Sequence, residues 1–143
     1  MLTVKENGLL LSIIKHCEKI IYKTENLNRN QFDNDEDIRE IIAFNVLQIG
    51  ELITHFDNEF LKNHNKIPWA KIRGMRNRIV HGYDTFDLNE LWKTGTKDIV
   101  PLRNECEEII KKEAEPLNLW ICIYSIGSKI KSSYLANSLN TST

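Results

Sequence analysis

Proline and glycine are scarce, with 3 Pro and 6 Gly in 143 residues. Collagen-like arrays and long flexible linkers are therefore excluded. Cysteine is also rare. Cys17, Cys106 and Cys122 stand far apart, with no CxxC pair and no Cys/His cluster at zinc spacing. That pattern excludes a disulfide framework and a zinc finger, and it predicts free, buried or partly buried thiols in a reducing cytoplasm. No basic stretch followed by an apolar core opens the chain, and no apolar run reaches the roughly 20 residues that span a bilayer. Neither a leader nor a membrane segment is expected. Charge of one sign is not in excess either, since 19 Lys+Arg face 20 Asp+Glu, for a net charge of -1. Coating nucleic acid by bulk electrostatics is thereby excluded, but a local cationic site is not.

What is present favours helix. Hydrophobic residues make up 41% and charged residues 27%, and Leu, Ile, Glu and Lys are frequent. Leu9, Leu10, Ile13, Ile14, Cys17, Ile20 and Ile21 recur at three- and four-residue steps and predict a first amphipathic helix. Thr24 to Asn34 is polar and Asn-rich and reads as a loop, with Phe32 as an anchor packed back on the core. A second helix is expected to start at Asn34 or Asp35, with acids on its first turn. Its apolar set, Ile38 through Phe56 and including Phe44, is wide enough for a central helix. Gly50 in its middle predicts a close helix–helix approach. After a polar loop at Asn63 to Lys66, Pro68 suits the first position of a third helix ending at Gly82, with Trp69, Ile72, Met75 and Ile79 on its apolar edge. Asp87 and Glu90 predict a capping box for a fourth helix, which Gly95 and Pro101 should kink or break. No convincing strand and no internal repeat is legible. The expected fold is all-α, an antiparallel bundle of four to five helices over 1–116. Residues 117–143 read as a divergent low-charge tail: they carry only Lys129 and Lys131, leaving 17 bases and 20 acids before them. No function is assigned to that tail.

The densest chemistry is Gly74-Met-Arg76-Asn77-Arg78-Ile-Val-His81-Gly-Tyr83, preceded by Arg73. Three arginines within six residues make a cationic patch suited to phosphate, with Arg73 and Arg78 as candidate RNA phosphate contacts beside Arg76. Histidine exchanges protons near neutral pH. At 100° per residue Asn77 and His81 share a helix face, whereas Arg76 and His81 point roughly 140° apart. Either the helix ends at His81 and lets its side chain turn, or two copies meet across a two-fold axis and pool their Arg and His residues. The second arrangement is favoured, with some contribution from the first. The cluster suits RNA cleavage without metal: imidazole takes the 2′-OH proton, Arg76 stabilises the phosphoryl charge, and a second His81 protonates the leaving oxygen. The Arg–His spacing alone is common by chance and carries little weight.

The surrounding run carries more. It resembles the Arg-x4-His-x-Tyr signature of the HepT-like toxins of the HEPN superfamily. Asn45 to Glu51 is similar to that family's Ile-Gly-Glu segment, and Ile67-Pro68-Trp69 with Ile72 to Asn77 to its Pro-Trp and Gly-Met-Arg-Asn stretch. Leu91-Trp92 and Asp98 to Leu102 are similar to its fourth helix, so the likeness covers about Leu9 to Glu113. The resemblance implies a HEPN-type homodimer with a composite cleft at its interface. It implies a metal-independent ribonuclease toxin of a type VII toxin–antitoxin pair, with no cofactor. Arg76 and His81 match the catalytic pair, and Asn77 matches its supporting polar residue. Tyr83 matches the tyrosine that a cognate minimal nucleotidyltransferase antitoxin adenylylates from ATP. The RNA target, transfer or messenger, is not legible. The alternative is a non-catalytic helical partner of a nucleotidyltransferase. His16, His55 and His64 read as solvated or locally bonded, Trp69 and Trp92 as core, and Glu51 as either a site residue or a plain surface carboxylate.

Overall fold

A computed structural model describes residues 1–114. The tail expected from 117 onward lies outside the described residues. Helix α1 (Val4–Thr24) opens with a capping box between Thr3 and Glu6 and buries Leu10, Ile13, Ile14, Cys17 and Ile20. Each such Leu or Ile contributes about 1.5–3 kcal/mol on burial. The stretch expected to be a loop contains a short helix, α2 (Arg29–Asn34). Its polar composition hid it, because its ends are held by side chains. Asn28 and Gln31 cap each other's backbone N–H at the start, and the Arg39 guanidinium donates to the carbonyls of Phe32 and Asp33 at the end. Phe32 is the expected anchor: it is fully buried, with its ring 5.2 Å from that of Trp92.

Helix α3 (Glu36–Ile53) starts on an Asp35 cap and runs between α1 and α5. Its position is central, as its apolar width predicts. Phe44 is a correction, because it is 57% exposed rather than part of the buried stripe. Its place on the helix circumference explains this, about 120° from Gly50, which faces α5. Helix α4 (Asn58–Asn63), unforeseen in the sequence, sets Phe60 against Phe56 and Trp69. Helix α5 (Trp69–Gly82) stops at Gly82 as expected, but Pro68 is its cap rather than its first residue.

A 3₁₀ turn (Tyr83–Thr85) leads into α6 (Leu88–Lys93), a π-turn (Thr94–Asp98) and α7 (Ile99–Glu113). The predicted break is thus a π-turn. Pro101 has no N–H for the Lys97 carbonyl, and Ile99 bonds to Thr94 five residues back. The predicted capping box is only half made: Asp87 caps the helix, while Glu90 turns instead to Arg78. The long helices α1, α3, α5 and the α6–α7 rod form the all-α bundle, and the described residues contain no strand. Cys17 and Cys106 are free and buried in it, whereas Cys122 lies outside the described residues.

Candidate active site on α5

Helix α5 is polar on one side and apolar on the other. Met75 and Ile79 are buried, while Arg73, Asn77, Arg78, Val80 and His81 are exposed. Taking Arg76 as zero, Val80, Arg73, Asn77 and His81 follow at about 40°, 60°, 100° and 140° around the helix. Arg78 lies further round, near 200°. The run thus presents one broad solvent face with Arg76 at its inner edge, against α3.

Gly50 sets that edge. A Cβ added there would lie 2.3 Å from the Arg76 Cβ and 2.8 Å from its Cγ. The close approach expected from Gly50 is therefore present, and its occupant is the stem of Arg76. Glu51, the next residue, receives Nε–H and Nη2–H of the same guanidinium. Asn77 Oδ1 accepts from Nη1 at 2.8 Å. Of the five guanidinium donors, one on Nη1 and one on Nη2 remain for a ligand. Glu51, left open by the sequence between a site residue and a surface residue, sits at the site. The adjacency of Gly50 and Glu51 was the available signal.

The other arginines differ. Arg78 pairs with Glu90 and its guanidinium carbon lies 6.0 Å from the Phe86 ring centre. Arg73 is exposed. His81 is exposed in the last turn, and among the described residues no hydrogen bond or ion pair joins it to Arg76. A single chain therefore brings Arg76, Asn77 and Glu51 together but leaves His81 apart, as the helical angles require.

Tyr83 begins the 3₁₀ turn and is half-buried. The turn is tight at Gly82, where an added Cβ would meet Thr85 Oγ1 at 2.6 Å. Burial pushes the Tyr83 phenol above its ordinary value. Glu40, Glu36 and Asp84 act the same way, against Arg39. The phenol thus looks toward the start of α3, while Arg76 meets Gly50 near its end, so α3 and α5 run antiparallel.

The scattered histidines stay local. His16 Nδ1 lies 2.8 Å from Asn45 Oδ1, His64 Nε2 lies 3.5 Å from Glu113, and His55 is exposed. Trp69 is buried, with its indole N–H donating to the His64 carbonyl, and Trp92 is half-buried. Among the described residues no group of three or more His, Cys, Asp or Glu stands close enough to hold a metal ion. No helix among them is long and apolar enough to cross a membrane.

Comparison with known proteins bears on the whole bundle. The model of the ribonuclease HepT-like family matches residues 13–109. Relatives include a candidate RNase of Caldanaerobacter subterraneus subsp. tengcongensis, 30% identical over 101 residues, spanning 71% of this chain and 90% of that protein. A candidate RNase of Methanocaldococcus jannaschii is 29% identical over 100 residues, spanning 70% and 92%. A probable ribonuclease HepT of Thermococcus cleftensis is 36% identical over 63 residues, spanning 44% and 57%. No solved structure matches at a comparable level. Because the match runs from within α1, across the helix that carries Arg76 and His81, to near the end of α7, the chain belongs to the ribonuclease HepT-like family.

Proposed function

We propose that this chain is the metal-independent ribonuclease toxin of a toxin–antitoxin pair, acting as a homodimer on transfer or messenger RNA. The observation that carries the reading is the preset Arg76 head, held by Glu51 and Asn77 with two donors left for a phosphate. His81 supplies proton transfer. As neutral imidazole it takes the proton of a ribose 2′-OH. The 2′-oxygen bonds to the adjacent phosphorus and the bond from phosphorus to the 5′-oxygen breaks. His81 of the second copy, as imidazolium, gives that oxygen its proton, leaving a 2′,3′-cyclic phosphate and a 5′-hydroxyl. Arg73 and Arg78 hold neighbouring phosphates.

The homodimer is supported by what surrounds the motif. Phe44 lies two turns before Glu51 on the same stripe of α3, and Val80 one turn after Arg76 on α5. The helices are antiparallel, so both lie on the same side of the Glu51–Arg76 pair. Phe44 is 57% and Val80 50% exposed, an unusual apolar pair beside a charged site. Burying that face against its own copy brings two α5 helices together and gives each Arg76 a second His81 nearby. Tyr83 is the regulatory target of a minimal nucleotidyltransferase antitoxin. Its phenolic oxygen bonds to the α-phosphorus of ATP, pyrophosphate leaves, and the phenolic proton passes to the antitoxin. The added phosphate repels RNA from the site.

The test is cleavage of RNA by the purified protein in EDTA, with the ends identified by mass. His81→Ala should lose on the order of 10²–10⁴ in rate. Unchanged activity in His81→Ala, or no cleavage by the wild type, would sink the catalytic reading; the latter leaves a non-catalytic partner of a nucleotidyltransferase. Phe44→Glu with Val80→Glu should give monomers by ultracentrifugation and lose activity together with the dimer. Incubation with the co-expressed nucleotidyltransferase and ATP should add one adenylyl mass, absent in Tyr83→Phe.

A further inference from the structure

On the side of α5 opposite Arg73, Asn77 and His81, an apolar groove of about 180 Å³ opens between α3, α5 and α7. Its floor is Val46, Ile49, Ile72, Met75, Ile99 and Leu102. Charge is confined to its rim, where Lys71 and Asp98 pair at 3.6 Å and Lys66 and Glu105 stand nearby. The groove is smaller than the roughly 300–1,000 Å³ of small-molecule sites, and its floor offers an orienting ligand little to hydrogen-bond. A second depression, of about 200 Å³, shares Lys66, Ile67 and Glu105 with it and continues along α7 to Glu113. Together they form a trough leading from the end of α7 back toward its start.

The chain leaves α7 at the head of this trough. Ala114 is extended, with φ -74 and ψ 140, so the helix has stopped. Glu115-Pro116 follows, and a residue before proline is disfavoured in helix. Going back from Glu113 to the level of Leu102 covers 11 residues of helix, or about 16 Å. Extended chain covers that in about five residues at roughly 3.3 Å each. By this count of chain length alone, Leu119 to Ile123 fall within reach of the groove. That stretch, Leu-Trp-Ile-Cys-Ile, is the most apolar in the sequence, and no charge occurs from Leu117 to Ser128. The family match ends at residue 109, before this segment begins.

We infer that Leu117–Tyr124 of the same chain docks in the groove between α5 and α7, as an intramolecular plug on the rear of the motif helix. Apolar floor and uncharged segment are complementary, and the rim charges stay in water. The motif face of α5 remains open.

Cys122 is a native reporter within the segment, and the other two cysteines are buried in the bundle. The full-length protein, in native buffer, is treated with N-ethylmaleimide and followed by intact mass and peptide mapping. Cys122 should react at least about tenfold more slowly than in Ile72→Lys, which puts a charge in the groove. Lys71→Cys, at an exposed rim position, supplies an independent arm that leaves the groove floor intact. With diamide as oxidant, the introduced thiol and Cys122 should form a disulfide within one chain, losing two hydrogens to the reduced diamide. Three results would overturn the proposal. Cys122 reacts in the native protein as fast as after denaturation; the Lys71→Cys thiol forms no bridge to Cys122; or the bridge joins two chains, which gives the groove to a second copy.

Discussion

In the proposed reaction Arg76 is the residue on which the chemistry turns, and Glu51, which accepts from its guanidinium, fixes where it points. A carboxylate beside the guanidinium lowers the net positive charge offered to RNA while fixing the direction of its remaining donors. These two effects separate kinetically. In Glu51→Gln the site becomes more cationic but less ordered, so KM for RNA should fall while kcat falls by about tenfold, close to 1.4 kcal/mol in barrier. Steady-state kinetics on a short RNA would check it, and an unchanged kcat would show that Glu51 does not position Arg76. The motif itself was legible in the sequence, since Arg76, Asn77, His81 and Tyr83 lie within eight positions. The Glu51 contact was not, because a carboxylate 25 residues away becomes a neighbour only when two helices pack. Phe44 was misread for a related reason: hydrophobicity marks a side chain that avoids water without saying whether its own core or another surface covers it.

At the scale of elements, the long helices could be read from their periodicity and α2 and α4 could not. A six-residue helix makes less than two turns and shows no repeat, so its stability rests on caps and on one anchoring aromatic, Phe32 or Phe60. The Asp87 box failed because Glu90 found a tertiary partner in Arg78 that local pattern cannot supply. The glycines allow a paired test. Gly8 is exposed on α1 with nothing within 4 Å of an added Cβ, so Gly8→Ala should gain up to about 1 kcal/mol from helix propensity. Gly50→Ala gains the same propensity but drives a methyl into the Arg76 stem, and overpacking of this kind costs about 1–3 kcal/mol. Urea denaturation should therefore move the two midpoints in opposite directions. A stabilised Gly50→Ala would mean that α3 and α5 separate freely.

For the molecule as a whole, the near-zero net charge conceals a division between an acidic α3 start and a cationic face on α5. Among the described residues the thiols of Cys17 and Cys106 are both fully buried, and burial pushes both above their ordinary value of 9.0. A group whose folded value is raised stabilises the fold below its unfolded value and ceases to do so as pH rises past it. Stability should thus hold up to about pH 9 and fall above it, and the Tyr83 phenol adds to the same trend. Denaturation midpoints measured from about pH 8 to pH 10 would show the slope, and the Cys17→Ala, Cys106→Ala double variant should be weaker but flatter. The seat of Arg76 on Gly50 has one more consequence. The guanidinium takes its coordinates from the gap between two backbones, and that gap is set by every apolar side chain wedged between α3 and α5. If Arg76 acts as proposed, turnover is a gauge of core volume. An Ile→Val change at Ile49, which is buried and faces Ile72 and Met75 of α5, should cost about 0.5–1.5 kcal/mol in stability and, by altering that gap, slow turnover by more than the lost stability explains. Misplacement of about 1 Å costs on the order of 10²-fold in rate. Selection on such a toxin would then fall on its core as strictly as on its motif, and attenuated variants would arise far from any residue that touches RNA.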